Sequence, residues 1–325
     1  MADGQHWKRL GAYAGLRCVE WSMSAPPVGG VLGLPTSPRP SLVLASSYLS
    51  VPYISLHMGN DTPLLASIII PTLDRPEALA VCLRSLDAQT EQRFERILIR
   101  ERGPLAALRN HGLSQARAPV VCFIDDDVVC PPTWLSSLLR VFRESSQVVG
   151  VTGPAIITPA WRHTRDLFKH KQLRKLYDFC FVNNQQPGII SRAGTFNVLA
   201  AESDCIYEGE VQYLEACNMS FRTEALRSIG GFDETYAGIG DWSEPDACFR
   251  LRQAMGNLLW FTPQAALFHQ PSLEGPSRLR WKDSHNRLAN YHLFSARWVP
   301  PCWQHVGYCA FLWSYYRLWK SLIRF

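Results

Sequence analysis

Three consecutive carboxylates, Asp125, Asp126 and Asp127, directly follow the apolar run 120–124. Neighbouring carboxylates repel one another unless a cation or hydrogen-bond donors compensate their charge. Asp125 and Asp127 could each place an oxygen near one hard divalent cation, Mg²⁺ or Mn²⁺, with Asp126 turned to other donors. The alternative for the same three residues is a solvated turn at a strand end.

The segments around this acidic run alternate between strand and helix patterns. The predicted elements are, in order, a strand over 64–70 closed by Pro71, a helix from Pro76, a strand over 96–99, a helix from 103 to 116, and the strand 120–124. This alternation predicts a parallel α/β sheet, in which ligands bind at the carboxyl ends of the strands. The loops 72–75 and 125–127 both lie at such ends.

Composition narrows the class of protein further. The chain has 325 residues and a formal net charge of +5, with 47% hydrophobic and 19% charged residues. These values exclude a disordered, collagen-like or coiled-coil protein, and the mild basic bias does not indicate nucleic-acid binding. Ten cysteines without a C-x-x-C pair indicate a reducing compartment, and we therefore expect a cytoplasmic protein.

The charge pattern predicts three regions. Residues 1–60 form a Pro-, Ser- and Gly-rich extension, with one formal charge between 21 and 60. Residues 61–275 form the folded domain, with a nucleotide-binding half to 153 and an acceptor half from 154. Residues 276–325 form a helical aromatic and basic tail. Met58 lies just before the folded domain, and we expect residues 1–57 to be dispensable.

Several motifs occur together in a fixed order. They are Ser67-Ile68-Ile69-Ile70-Pro71-Thr72, Arg75-Pro76, Leu108-Arg109-Asn110, Phe123-Ile124-Asp125-Asp126-Asp127, Asn218-Met219-Ser220-Phe221-Arg222, Gly230-Gly231-Phe232-Asp233, Trp242-Ser243-Glu244-Pro245-Asp246 and Phe268-His269. These motifs span residues 64–270. Their order and spacing resemble those of the family 2 glycosyltransferases of GT-A fold. The resemblance implies a mostly parallel, Rossmann-like sheet flanked by helices, and the spacing of polar and aromatic residues over 305–325 predicts an amphipathic helical segment after it.

The same resemblance implies roles for the reacting groups. Asp127 is then the principal metal ligand, joined by Asp125 and His269, and Glu244 is the base that deprotonates the acceptor. A Glu in place of the usual Asp still reaches a proton. The alternatives are a structural role for His269 and a helix-start carboxylate for Glu244.

Donor and acceptor contacts follow from the resemblance as well. Residues implied in the donor site are Pro71, Thr72, Arg75, Glu101, Arg109, Asp125 and Asp126. Glu101 is included because the acidic loop that family members usually carry after the second strand is absent or compressed here. Residues implied in substrate binding are Asn218, Trp242 and Asp246. The alternatives are a surface helix arginine for Arg109, a core ring for Trp242 and a turn residue for Asn218.

The predicted function is a metal-dependent, inverting transfer of a sugar from a UDP-, GDP- or dTDP-sugar to a glycan or lipid-linked acceptor. A non-catalytic nucleotide-sugar-binding protein of the same fold is the alternative. A phospho-acceptor receiver domain is disfavoured, because it needs an acidic pair after the first strand and the loop 72–75 offers one acid.

Two segments have compositions that are compatible with an anionic membrane surface as a partner. The stretch 162–175 is rich in Arg, Lys and His, and the C-terminal helical region over 305–325 combines Trp, Tyr and Arg. Such a helix suits the interface of a membrane, at its cytoplasmic face. The alternatives are a solvated helix for the first segment and packing against the folded domain for the second.

Overall fold

The computed structural model describes residues 62–157, 179, 186–195, 206–256, 258–270 and 284–322. The expected extension over 1–60 and the basic stretch 162–175 lie outside the described residues. The three-region division therefore stays a prediction.

The described part of the chain is an α/β fold. Its strands are β1 Ala66–Pro71, β2 Phe94–Ile99, β3 Val120–Ile124, β4 Val128–Val129, β5 Val148–Thr152, β6 Ala155–Ile157, β7 Gly209–Val211, β8 Asn218–Arg222, β9 Leu258–Phe261 and β10 Leu267–His269. Its α-helices are α1 Pro76–Asp87, α2 Leu105–Gln115, α3 Trp134–Glu144, α4 Thr223–Ser228, α5 Ser243–Met255, α6 Ser284–Trp298 and α7 Trp303–Leu322.

Seven strands form the central sheet in the order β2-β1-β3-β8-β5-β9-β7. Strands β2, β1, β3, β5 and β9 run in one direction, and β8 and β7 run in the other. The expected mostly parallel α/β sheet is therefore confirmed. The antiparallel strand β8 in its centre has no counterpart among the predicted elements.

Helices cover both faces of this sheet, which explains why its strands read as continuous apolar runs. Side chains alternate between faces along a strand. In β1, Ile68 and Ile70 pack in the cluster that includes α1 and α3, whereas Ile69 packs in the cluster that includes α2, α4 and α5. All three isoleucines are fully buried.

A glycine sets the distance between α2 and the sheet. A Cβ at Gly112 would lie 2.4 Å from Cγ2 of Ile69. Only a residue without a side chain therefore lets α2 approach β1 this closely. At the start of the same helix, the amide of Leu105 donates to the carbonyl of Gly238 at 3.1 Å.

Two smaller assemblies complete the described fold. Strands β4, β10 and β6 form a three-stranded sheet, with β10 antiparallel to β4 and parallel to β6. Helices α6 and α7 pack beside α5 through a third cluster of buried side chains that includes Tyr291, Phe294 and Tyr308. Every helix in the described part of the chain is too short or too polar to cross a membrane.

Candidate active site

The acidic run lies where the sequence places it, directly after the central strand β3. Asp126 is fully buried, and its Oδ2 accepts a hydrogen bond of 2.6 Å from the hydroxyl of Thr72, which follows β1. Because β1 and β3 are parallel neighbours, their carboxyl ends meet at one edge of the sheet. The first two predicted loops therefore form one site.

Arg75 connects the two buried carboxylates of the run. Its Nε donates to Asp126 Oδ2 at 3.2 Å, and its Nη1 donates to Asp127 Oδ2 at 2.7 Å. Burial raises the pKa of Asp126, and the Thr72 hydroxyl and the Arg75 charge only partly offset that effect. Asp127 is bonded to Arg75 through one oxygen, and its other oxygen, Oδ1, faces His269.

The three-stranded sheet brings His269 to this edge. In its register His269 lies opposite Val128, the residue after Asp127, and the amide of Gln270 donates to the Asp127 carbonyl at 2.9 Å. His269 Nε2 is consequently 3.2 Å from Asp127 Oδ1 and 3.8 Å from Asp125 Oδ2.

Asp125, Asp127 and His269 thus form a group that could hold a metal ion. One ligand atom from each lies within 4.8 Å of the others. Asp127 and His269 are largely buried, whereas the Asp125 side chain is 34% exposed, so the group opens toward solvent on one side. Two carboxylate oxygens and one imidazole nitrogen are ligands that a divalent cation accepts.

Cys217 contacts the opposite nitrogen of His269 and was not singled out from the sequence. Its Sγ lies 3.8 Å from Nδ1. Burial alone would lower the pKa of His269, but Cys217 and the two carboxylates outweigh it and raise that pKa to about 11. Cys217 precedes β8, and only the antiparallel pairing of β8 with β3 brings it to Asp125.

Arg109 and Glu244 form a second, buried group. Arg109 is 2% exposed and Glu244 is 6% exposed. Arg109 Nη1 donates to Glu244 Oε1 at 2.5 Å, and its guanidinium lies 5.5 Å from the ring centre of Phe232. The surface-arginine alternative for Arg109 does not agree with this burial.

Two consecutive residues, Ala216 and Cys217, link the Arg109–Glu244 pair to the candidate metal ligands. Arg109 Nη2 lies 3.4 Å from the carbonyl of Ala216, and the next residue, Cys217, contacts His269. Consecutive Cα atoms are about 3.8 Å apart. A chain of contacts through Ala216 and Cys217 therefore links the Arg109–Glu244 pair to His269.

The three residues predicted to bind substrate are all buried and bonded within the protein. Asn218 accepts from Trp134 Nε1 at 2.9 Å and donates to the Gly153 carbonyl at 3.0 Å. Trp242 donates from its indole to the carbonyl of Gly194 at 3.0 Å. These contacts hold neighbouring loops together, and a contact of either residue with substrate stays a prediction.

Asp246 is the third of these residues, and it is fully buried. Its Oδ2 accepts from Arg250 at 2.7 Å, and its Oδ1 accepts from the indole of Trp298 at 2.9 Å. Arg297 also donates to Oδ1, at 3.1 Å. Asp246 therefore joins α5 to α6, and its predicted contact with substrate likewise stays untested.

Two further residues of the predicted donor site lie at strand ends. Pro71 is the last residue of β1 and directly precedes Thr72. Glu101 follows β2, is 60% exposed in its side chain, and lies 3.1 Å from Nδ1 of His111. No contact described here joins Glu101 to the acidic run.

Comparison with known proteins agrees with the motifs. Residues 96–204 match the family described as Glycosyl transferase family 2. A pre-mycofactocin glycosyltransferase of Mycobacterium tuberculosis is 28% identical over 170 residues, which are 52% of this chain and 30% of that protein. A glucosyl-dolichyl phosphate glucuronosyltransferase of Haloferax volcanii is 22% identical over 166 residues, 50% of this chain and 46% of that protein.

Among solved structures, the mannosyltransferase PcManGT of Pyrobaculum calidifontis, in complex with GDP-Man and Mn²⁺, superposes with a TM-score of 0.47 and 13% identity. The superposition covers 79% of this chain and 71% of that one.

The chain is therefore similar to the family 2 glycosyltransferases over residues 96–204, and the resemblance seen in its motifs is confirmed. It spans less than half the length of the two curated relatives it matches. The matched range 96–204 includes Arg109 and the acidic run, whereas Glu244 and His269 lie beyond it.

Proposed function

We propose that this protein is a metal-dependent, inverting glycosyltransferase that moves a sugar from a nucleotide-sugar donor to an acceptor hydroxyl. The observation that carries the proposal is the Asp125, Asp127 and His269 group, linked by contacts of Ala216 and Cys217 to the buried Arg109–Glu244 pair. One group could hold a cation at a leaving diphosphate, and the other supplies a carboxylate that can take a proton.

The donor set fits Mn²⁺ or Mg²⁺. Carboxylate oxygens suit both ions, and an imidazole nitrogen is a ligand of first-row transition ions, so Mn²⁺ is the ion we propose first. When bound, such a cation neutralises the charge that develops on the departing diphosphate. Arg75 holds Oδ2 of Asp127, so Oδ1 stays directed toward His269.

Glu244 is the base in this proposal. It lies in the first turn of α5 and is paired with the Arg109 guanidinium. The contact with Arg109 uses Oε1, and we propose Oε2 as the atom that takes the proton of the acceptor hydroxyl. The deprotonated oxygen then attacks the anomeric carbon from the face opposite the diphosphate, which inverts the configuration there.

In this proposal, the polar groups at the ends of β1 and β3 bind the donor. Arg75 offers a guanidinium that matches diphosphate oxygens in geometry. We propose a UDP-, GDP- or dTDP-sugar as donor and a glycan or a lipid-linked molecule as acceptor. Arg109 acts mainly by holding Glu244, so its role in the donor site, expected from the sequence, becomes a supporting one.

A non-catalytic nucleotide-sugar-binding protein is the second candidate. It is favoured by the burial of Glu244, which is 6% exposed and already paired with Arg109. An acceptor hydroxyl would have to reach a carboxylate that is almost fully buried.

A turnover assay distinguishes the transferase from the non-catalytic nucleotide-sugar-binding protein. The protein is incubated with UDP-, GDP- and dTDP-sugars and a panel of sugar acceptors, with Mn²⁺ or with EDTA, and release of nucleoside diphosphate is measured. We expect acceptor-stimulated release that EDTA abolishes. Donor binding without any release would favour the second candidate, and neither binding nor release would contradict both.

A further inference from the structure

Helix α7 has an exposed apolar stripe along one side. Trp303, Val306 and Trp313 are 65%, 66% and 53% exposed. Ala310 and Arg317 are also exposed, and the five positions are spaced by three, four, three and four residues. This spacing keeps them on one side of a helix, over roughly 20 Å of its length. We call these five residues the outer stripe.

The opposite side of α7 is packed against the protein. Tyr308 is 6% exposed and Leu312 is 5% exposed, and the Tyr308 ring makes an edge contact with the Tyr291 ring of α6, with 5.0 Å between centres. The packing alternative drawn from the sequence therefore holds for this side of the helix, and the membrane alternative stays a prediction. One side of the helix packs on the fold, and the other side presents apolar surface to solvent.

The charge around the outer stripe is positive. From 284 to 325 the sequence has five basic residues and no acidic residue. Arg287 and Arg297, on α6, pair with Asp241 and Asp233. The remaining three in the sequence are Arg317, Lys320 and Arg324, and the Arg317 guanidinium rests 4.4 Å from the Trp313 ring centre.

This combination favours an anionic lipid surface over a protein partner. Tryptophan places an apolar ring and a polar N–H at the boundary between headgroups and acyl chains. Arginine beside it finds lipid phosphates at the same depth. A second copy of this chain would instead bring basic residues against basic residues, without acidic partners from this region.

We propose that the outer stripe of α7 docks on the surface of an anionic lipid bilayer, with α7 lying in the plane of the interface. Trp303 and Trp313 enter the headgroup region, and Arg317 contacts lipid phosphates. The rings of Tyr308, Tyr291 and Trp242 connect this surface to the residues before Glu244. A docked α7 would therefore hold the candidate active site near the bilayer.

Vesicle binding tests the proposal without any need for turnover. The full chain is sedimented with vesicles of phosphatidylcholine alone and with vesicles of equal parts phosphatidylcholine and phosphatidylglycerol. We expect binding to the anionic vesicles only, with a shift of tryptophan emission to shorter wavelength. The binding should weaken with salt, since exposed charges are screened beyond about 10 Å at 0.1 M ionic strength.

Two variants test whether the outer stripe is the surface that binds vesicles. The double variant W303S/W313S should lower the vesicle affinity at least about tenfold, because each ring contributes burial at the interface. Ile206→Ser is the matched control, because Ile206 is 80% exposed and lies outside α7. Its affinity should equal that of the unchanged protein, and all three proteins should show the same thermal unfolding midpoint.

Three results would overturn the proposal. One is no binding of the unchanged protein to anionic vesicles, and another is equal loss in the control and the double variant. The third is a dimer in solution, seen by light scattering, that the double variant dissociates, because the outer stripe would then bind a second copy. Since vesicle binding and nucleotide binding are measured separately, each of these results leaves the proposed transferase activity to its own test.

Discussion

The Arg109–Glu244 pair includes the proposed base and is also a structural contact. Two nearly buried charges stabilise a fold only while each has the other, because the loss of one partner leaves a buried charge uncompensated. A change at Glu244 therefore has two consequences, for turnover and for stability, and they must be measured together.

Glu244→Gln should lower turnover by about 10² to 10⁴, because an amide cannot take the acceptor's proton. Its oxygen still accepts a hydrogen bond from Arg109, so the loss in free energy of unfolding should be limited to about 1–3 kcal/mol. Initial rates and urea unfolding of the same samples provide the two values. Affinity for the nucleotide should stay within a few-fold.

Glu224→Gln is the control for this variant, because Glu224 forms an exposed ion pair with Arg227 at 2.8 Å. An exposed pair contributes about 1 kcal/mol or less. Turnover of Glu244→Gln within a few-fold of the unchanged protein would show that Glu244 is only a structural carboxylate.

The sequence predicted the identity of the candidate metal ligands but not what surrounds them. Asp125 and Asp127 follow an apolar run, and this pattern can be recognised from a short stretch of the sequence alone. The contact of Cys217 with His269 depends on which strand pairs with β3, and a single sequence does not encode that pairing in a local pattern. Arg109 was predicted as a donor ligand, and its burial against Glu244 became apparent only from the packing of α2 on α5.

Among the elements, the first three strands and the first two helices were predicted close to their observed bounds. Their periodicities are strong, and Pro76 and Pro104 mark the helix starts. Strand β8 was missed because Asn218 and Ser220 interrupt its apolar run, although both are fully buried. Strands β4, β6 and β10 have two or three residues each, too few to show a period.

The contact between α2 and β1 allows a test of how the helix carrying Arg109 is positioned. Gly112→Ala places a Cβ 2.4 Å from Ile69 Cγ2, so α2 must move away from the sheet. We expect the free energy of unfolding to fall by about 1–3 kcal/mol, as for other overpacked cores, with a parallel loss of turnover. Urea unfolding and initial rates measure both.

Gly103→Ala is the matched control at the other end of this region. The nearest atom to a Cβ at Gly103 is 3.6 Å away, an ordinary contact. Its stability should match that of the unchanged protein. If Gly112→Ala were as stable and as active as Gly103→Ala, the close approach of α2 to β1 would not position Arg109.

Buried thiols make the stability of the folded chain sensitive to high pH. Burial raises the pKa of Cys82, Cys122 and Cys248 from 9.0 to about 12 in the folded state. Between these values the unfolded chain has released thiol protons that the folded chain retains. The folded state therefore binds more protons, and the free energy of unfolding must fall as pH rises from 9 toward 12.

Urea unfolding at a series of pH values measures this slope. Each thiol contributes up to about 1.4 kcal/mol per pH unit, and below pH 8 the thiol contribution should be constant. Cys248→Ala should reduce the slope by one thiol's share, in addition to a pH-independent loss from the smaller side chain. A slope that is unchanged in Cys248→Ala would contradict the burial of this thiol.

A metal-dependent nucleotide-sugar site at the end of β3 can be tested by measuring the binding of a nucleoside diphosphate with and without metal. UDP and GDP are titrated into the protein by calorimetry, first with Mn²⁺ and then with excess EDTA. The unchanged protein should bind one of them at least about tenfold more tightly with Mn²⁺, and Asp127→Asn should lose that difference, because it removes a charged ligand at nearly constant volume. Asp87→Asn, which alters an exposed aspartate paired with Arg96, should behave like the unchanged protein. Equal affinities with Mn²⁺ and with EDTA, or an Asp127→Asn variant that retains the full effect of Mn²⁺, would contradict a metal-dependent nucleotide-sugar site at the end of β3.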